Sequence, residues 1–418
     1  MEQDIRKSTF NKYLNPLFNK KIYHVIKKLK LNRYVKKLDI IKFIKLFVYA
    51  QLNQISSLQD ISLVLNENQL LQKELGLSSI SGSQLSRKLR DVDPKLCLFV
   101  FQCCVDHIMK QYGNKASKKP GVARLMRLID ASTISLCISK YPWAEFRNTK
   151  AGVKINLKLV FSADITAVEK MIITTARCAD QTQMDELISI DKDCLYVFDR
   201  GYVDYKKFDN LCEQSIKFVT RLKSNAAYEV IEEIPTKPNS SVIYAAKIKL
   251  GSRHTYVMKH HLYLIETKDS KGKVIQIITN DFNLDTKEVS DAYKNRWQIE
   301  LFFKWIKQHL HVKKMYGKSK NAVYNQLYIA LITHCLLVIL HMTIDQKKDL
   351  LQIYKYIKLY WGQSFSVFLE QLLKNPLKYS RGRGKPLLIE PIFEEIQWQY
   401  HNGETEHLDV IEYDPINI

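Results

Sequence analysis

The period of the apolar residues changes twice along the chain, and that change limits the possible folds more than composition does. Up to about residue 113 apolar side chains recur at helical spacing. From Arg124 they fall into short β-rich runs, at Leu125 to Leu136, Lys154 to Ala163, Met171 to Cys178, Cys194 to Asp199 and Ile216 to Lys223. A helical pattern, Gln183 to Ile190, separates the third run from the fourth, and another, Tyr205 to Gln214, precedes the fifth. Three strands, a helix, a strand, a helix and a strand describe a mixed α/β sheet. Residues 224–285 read as short strands broken by turns such as PTKPNSS, DSKGK and NDFN, an all-β insertion, and from Thr286 the pattern is helical again to about Leu373.

These changes divide the chain at 1–120, 121–223, 224–285, 286–345 and 346–418, with Asn114 to Gly121, NKASKKPG, as the expected linker. The tail from Glu390 to Asp414 holds eight acids and no Lys or Arg, and is expected to be partly disordered.

Charge names the kind of partner. The chain has 64 Lys+Arg against 43 Asp+Glu, a formal +21, which implies an anionic partner, nucleic acid before membrane. The first 50 residues hold 13 of the cations and 3 acids. Within this helical part, Gln69 to Leu75 ends at Gly76, and after a turn a second helix, Gly82 to Arg90, carries Arg87 and Lys88 on its polar side, as a helix-turn-helix would. The best candidate for a bilayer span, Leu327 to Leu340, falls short of the roughly 20 apolar residues required and contains His334, so a buried helix is expected. MEQDIRKSTFNKYLN has no apolar run followed by small residues, which points to the cytoplasm and no membrane. The eight cysteines form no CxxC or Cys/His zinc spacing and read as structural thiols.

The chemistry concentrates in Tyr293 to His311, YKNRWQIELFFKWIKQHLH. Wound as one helix, it gathers Tyr293, Arg296, Glu300, Lys304, Lys307 and His311 into a stripe of roughly 80°. Trp297, Ile299, Leu301, Phe302, Phe303, Trp305, Ile306 and Leu310 fill the rest of the circumference, so the helix is expected to be buried with its stripe facing something polar. A carboxylate in a cationic line suits phosphate chemistry, with Glu300 on a metal and Tyr293, Arg296 and Lys307 on phosphate oxygens. Magnesium prefers several carboxylate oxygens, so further aspartates are expected at strand ends. Asp130, in RLMRLIDASTISL, and Asp199, in CLYVFDRGY, follow apolar strands, and Gly201 would let the chain turn sharply after the second.

The spacing Tyr293-x2-Arg296-x3-Glu300-x6-Lys307 resembles the Tyr-Arg-Glu-Lys signature of the insertion sequence four family of DDE transposases. Asp130-Ala131-Ser132-Thr133 and Asp199-Arg200-Gly201-Tyr202 are similar to the two aspartate segments of that family, and Phe146 to Leu157 and Phe218 to Asn225 to two further segments. The resemblance implies an RNase H-like catalytic core with an all-β insertion, preceded by an α-helical DNA-binding domain. It also implies cut-and-paste movement of DNA. Two Mg2+ ions, replaceable by Mn2+, would be held by Asp130, Asp199 and Glu300, with Tyr293, Arg296, Lys307, Arg221 and Lys223 on the DNA. The basic first domain, with Arg87 and Lys88, would bind the terminal inverted repeats, and a homodimer would join two ends to target DNA in a bacterial nucleoid. Asn156 stands where many relatives have His, and residues 224–285 contain no Trp to hold a flipped base as some relatives do, a place that Tyr228, Tyr244 or Tyr256 could take. Two other readings of the same residues are a non-catalytic DNA-binding protein, domesticated or decayed, and a host nuclease of the same fold.

Overall fold

The computed structural model describes residues 7–116, 125–147, 149–162, 165–236, 242–268, 272–344 and 348–374. Residues 117–121 of the expected linker and the acidic tail lie outside them. The chain forms two compact units, Met1–Gln111 with Lys304–Ile418, and Tyr112–Phe303. The first unit joins both ends of the chain, a grouping that a reading along the sequence does not contain.

The first unit is helical. It comprises α1 (Thr9–Tyr13), α2 (Lys20–Lys28), α3 (Ile40–Leu52), α4 (Leu58–Glu67), α5 (Gln69–Leu75), α6 (Gly82–Asp91) and most of α7 (Pro94–Ala116). Asn114 to Ala116 are therefore helical where a linker was expected. Side chains start these helices: Ser57 accepts from Asp60 N, Asn68 from Leu71 N, and Ser81 forms a reciprocal capping box with Gln84. Gly76, with φ of 61°, ends α5 in the left-handed conformation that glycine adopts without penalty. The turn between α5 and α6 is held from α4, because Ile80 N donates to Asn66 Oδ1 at 3.0 Å and Ser62 Oγ to Ile80 O at 2.6 Å.

The second unit is built on a ten-stranded mixed sheet. Its strands are β1 (Met126–Leu136), β2 (Glu145–Arg147), β3 (Lys150–Ser162), β4 (Ile165–Thr175), β5 (Leu195–Phe198), β6 (Lys217–Arg221), β7 (Tyr228–Glu233), β8 (Val242–Leu250), β9 (Leu262–Lys268) and β10 (Val274–Thr279). β1, β3 and β4 form an antiparallel meander, whereas β5 runs parallel to β1 and β6 parallel to β5. The pattern expected as a helix over Gln183 to Ile190 shortens to α8 (Met184–Leu187), while α9 (Tyr205–Glu213) crosses between β5 and β6. β10 pairs with β6, so the strands of 224–285 extend the same sheet instead of forming a separate one. Beneath lies a core of Tyr196, Phe198, Tyr202, Phe208 and Phe218, in which Phe208 and Phe218 stack at 4.7 Å. Each such side chain removed from water contributes about 1.5–3 kcal/mol.

The sequence expects one helix over Tyr293 to His311. The chain instead forms α10 (Thr286–Lys294) and α11 (Trp297–His309), with a turn at Asn295–Arg296. Arg296 N donates to Tyr293 O, Gln298 N to Asn295 O and Ile299 N to Arg296 O, each at 3.1 Å, so tight three-residue bonds replace the helical ladder there. The single stripe counted from Tyr293 therefore does not continue through this segment, His311 lies past the end of α11, and Trp297 is partly exposed.

The remaining helices are α12 (Lys320–Ile344), α13 (Leu350–Tyr360) and α14 (Phe365–Leu373). α12 runs beyond the apolar stretch at both ends and is, contrary to the sequence reading, long and apolar enough to cross a membrane by length and composition. Its residues Asn325 to Leu340 are buried, which suits the core of the helical unit. Asn325 Nδ2 donates to Leu89 O and Val92 O, and Thr333 O accepts from Tyr13 OH, so α12 is fixed to the N-terminal helices through its backbone and the Asn325 amide.

Candidate active site

Two neighbouring parallel strands bring the aspartates together. β1 and β5 are in register at Ile129 and Phe198, and the next residue along the chain is Asp130 in β1 and Asp199 just past the end of β5. Asp130 stays within β1, its Oδ1 accepting from Ala131 N at 2.8 Å, while Asp199 leads into a single 3-10 turn, Arg200–Tyr202. Gly201 needs no special backbone there. Its φ is not positive and an added Cβ would meet only Asp180 at 3.5 Å, so the sharp turn expected of this glycine is made by ordinary 3-10 geometry.

The turn between α10 and α11 carries Arg296 to the carboxylates. Its Nη1 lies 2.6 Å from Glu300 Oε1 and 3.9 Å from Asp130 Oδ2, and its guanidinium stands 5.6 Å over the Tyr293 ring. Tyr293 OH reaches Asp199 Oδ1 at 3.5 Å. Burial opposes the Arg296 charge, yet Glu300, Tyr293, Asp199 and Asp130 together hold its pKa above the ordinary value. Burial pushes Asp130 up to about 7; the Ala131 amide and Arg296 counter this, and Glu300 and Asp199 add to it. Excess negative charge is thus packed around one guanidinium. Among the described residues, no three acidic, His or Cys side chains stand close enough to hold a metal ion together in this arrangement.

The other residues expected on DNA are dispersed. Arg221, at the end of β6, is near enough to Tyr293 to favour its ionised form, against the burial that raises its pKa. Lys223 lines a hollow of about 640 Å3 with Lys206, Asn225 and Tyr256. Tyr256 OH donates to Asp209 at 2.9 Å, and Tyr228 OH accepts from Gln276 at 3.0 Å. Lys307 lies half-buried on α11, within the helical unit, and Arg87 and Lys88 lie on α6 of that unit, Arg87 exposed and Lys88 half-buried. Asn156, opposite Ala131, is fully buried and donates to Ile172 O and Thr174 Oγ1 within its own sheet.

Three residues near the carboxylates, Tyr202, Asp180 and Lys154, have no role in the sequence reading. Tyr202 is buried with no hydrogen-bond partner for its hydroxyl, and burial, then Asp130, Asp180 and Asp199, raise its pKa. Asp180 is a fourth acid in this neighbourhood, bound to Lys154 Nζ at 2.7 Å. Tyr202 closes the Asp199-Arg200-Gly201 motif and is visible there, but Asp180 and Lys154 are joined only by the pairing of β3 with β4, which spacing along the chain does not reveal. Of the eight thiols read as structural, seven are buried or half-buried and Cys137 is exposed just beyond β1.

A mixed sheet that places two aspartates on adjacent parallel strands, beside a helix-borne glutamate and an arginine, defines a class of carboxylate-based enzyme site. Comparison with known proteins gives it a family. The transposase DDE domain matches residues 123–336, and a domain of unknown function, DUF4372, matches residues 5–78. A probable transposase for insertion sequence element IS5377 of Geobacillus stearothermophilus is 31% identical over 275 residues, covering 65% of this chain and 70% of that protein. A putative transposase y4zB of Sinorhizobium fredii is 33% identical over 54% of this chain and 63% of its own length. A putative transposase for insertion sequence element IS4SA of a Synechocystis strain is 24% identical over 79% of this chain and 90% of its own. The chain belongs to the DDE transposase family, enzymes of DNA cleavage and transfer.

Proposed function

We propose that this chain is the transposase of an insertion sequence of the insertion sequence four type, which binds the terminal inverted repeats and moves the element by cut-and-paste cleavage and strand transfer. The observation that carries this reading is the convergence of Asp130, Asp199 and Glu300 around Arg296. An RNase H-like core is supported by the strand order β4-β3-β1-β5-β6, with an antiparallel meander on one side and parallel strands on the other.

A hard divalent cation takes carboxylate oxygens, and Asp130, Asp199 and Glu300 supply only these, but they would have to draw closer than they stand here to share one ion. Two Mg2+ ions, or Mn2+, bound by Asp130, Asp199 and Glu300 would activate water and stabilise the leaving oxygen. Arg296 pairs with the carboxylates and offers a planar fork suited to a phosphate once Glu300 is engaged elsewhere. Tyr293 stiffens this arrangement from Asp199, and Arg221 and Lys223 would contact the DNA strand, with Lys307, Arg87 and Lys88 on its backbone. Two copies acting on two ends make a homodimer the working form.

The test uses purified chain with DNA carrying the flanking element ends. Asp130→Ala, Asp199→Ala and Glu300→Ala should each abolish cleavage with Mg2+ and with Mn2+, while end binding persists. Strong cleavage by any one of them would remove that residue from the site, and cleavage without joining by the unaltered chain would make it a nuclease.

A further inference from the structure

The segment from Lys27 to Lys37 lies within the region matched by the domain of unknown function and contains six Lys or Arg and no acid. All six cations are exposed. Most basic surface runs are solvated, but this one is held in a fixed shape. Leu31 N donates to Ile26 O at the end of α2, Arg33 N to Lys30 O and Val35 N to Asn32 O, and Asn32 Oδ1 accepts from Ile40 N at 3.0 Å, which closes the segment into a compact loop on α3. Leu38 is buried and anchors its exit.

At the tip stands Tyr34. It is 85% exposed and has φ of 62°, a conformation that a bulky side chain adopts only under constraint. Nothing it buries repays that strain, and strain of this kind collects at functional positions. The Arg33 guanidinium lies 4.8 Å from its ring, so an aromatic surface and a cation are presented together. The loop adjoins the polar helix pair, for Lys37 Nζ donates to Ser79 Oγ at 3.4 Å in the turn before α6, whose outer face exposes Ser83, Ser86, Arg87 and Arg90.

We propose that this loop is a DNA-gripping element beside α6, in which Lys27, Lys28, Lys30, Arg33, Lys36 and Lys37 hold the phosphate backbone of a duplex and Tyr34 packs against the nucleotides. The proposal rests on the transposase reading and names the surface by which the helical unit would engage its DNA. A membrane surface fits less well, because such binding uses a broad apolar helical face, whereas this segment exposes only two large apolar side chains, Leu29 and Tyr34, among six cations.

Equilibrium binding of the full chain to a labelled duplex carrying the element end, across a series of salt concentrations, separates the two roles. Changing the six cations to Gln should reduce the log–log salt slope by about 0.9 for each phosphate no longer neutralised, a drop of at least about 2 in all. Should that variant fail to fold, Arg33→Gln and Lys36→Gln singly carry the same test. Tyr34→Ala should weaken binding at every salt concentration without altering the slope, because loss of an uncharged contact changes no counterion release. Tyr34→Gly should weaken binding and raise Tm, because it relieves the left-handed strain. An unchanged slope in the cation variants, or unchanged affinity in Tyr34→Ala, overturns the proposal, as does a preference for phosphatidylserine vesicles over duplex at equal salt. A chain that binds duplex through this loop yet never cleaves it would overturn the transposase reading and leave the loop in place; cleavage with unaltered slopes in the variants would do the reverse.

Discussion

Arg296 fixes the electrostatic balance of the carboxylate pocket, and Asp130 bears the cost. Its folded pKa, raised by burial first and by Glu300 and Asp199 as well, lies about 7 against an ordinary 3.8. The folded chain thus holds a proton that the unfolded chain has released, so ionising Asp130 removes stability as pH rises from about 4 and fully so above 7. Asp130→Asn should therefore stabilise the metal-free chain above pH 7 by about 1 kcal/mol, roughly 2–4 °C in Tm, with no gain near pH 4. Thermal melts in chelator at the two pH values check this, and equal gains at both would mean the pocket is not strained by charge. His334 shows the opposite sign. Burial alone drives its pKa down to about 3, beside Trp305 at 5.0 Å. The unfolded chain takes up this proton first, so stability falls as pH drops below 6.5 and goes on falling toward 3. His334→Leu should flatten the fall in Tm between pH 6.5 and 4, and an identical fall in both proteins would assign it to other groups.

Among the elements, the loop that joins β8 to β9 depends on one glycine and one aspartate. Gly251 has φ of 115°, and a Cβ there would meet Tyr256 O at 2.3 Å. Asp209 of α9 accepts from Lys259 N, His260 N and Tyr256 OH, and so holds the far side of the loop. Gly251→Ala should cost at least about 2 kcal/mol, read as a shifted denaturation midpoint. A variant as stable as the parent would show that the loop can take another path. The strands β1, β3, β4, β5 and β6 were legible because apolar period and strand pairing agree locally, and Asp130 and Asp199 were legible because each closes an apolar run. The break at Asn295–Arg296 was not legible. It contains neither Gly nor Pro, and what holds it is a set of short-range backbone bonds with Arg296 set on acids more than 160 residues away in one case and four in the other. The joining of β10 to β6 escaped notice for a related reason, since strand partners far apart leave no periodic trace.

In the whole molecule the helical unit is made from both ends of the chain. Thr9 N donates to Gln363 O and Phe10 N to Trp361 O, each at 2.8 Å, while Phe365 N donates to Lys7 O at 3.0 Å. Gln51 grips His311 through both amide atoms, and Tyr354 OH donates to Leu52 O and His309 O. A fragment of residues 1–111 should accordingly lack a cooperative melting transition on its own and regain it when residues 304–374 are supplied as a second chain. A sharp transition for the first fragment alone would refute this dependence. For the same reason, deletion of the N-terminal residues confounds DNA binding with folding, and point substitutions on α6 or on the 27–37 loop are the cleaner probes. Synthesis on the ribosome adds a temporal order. The basic loop and α6 emerge first, yet the helices that complete their unit follow the entire sheet, so a prematurely terminated chain would carry this basic surface on a helical unit that lacks its closing helices.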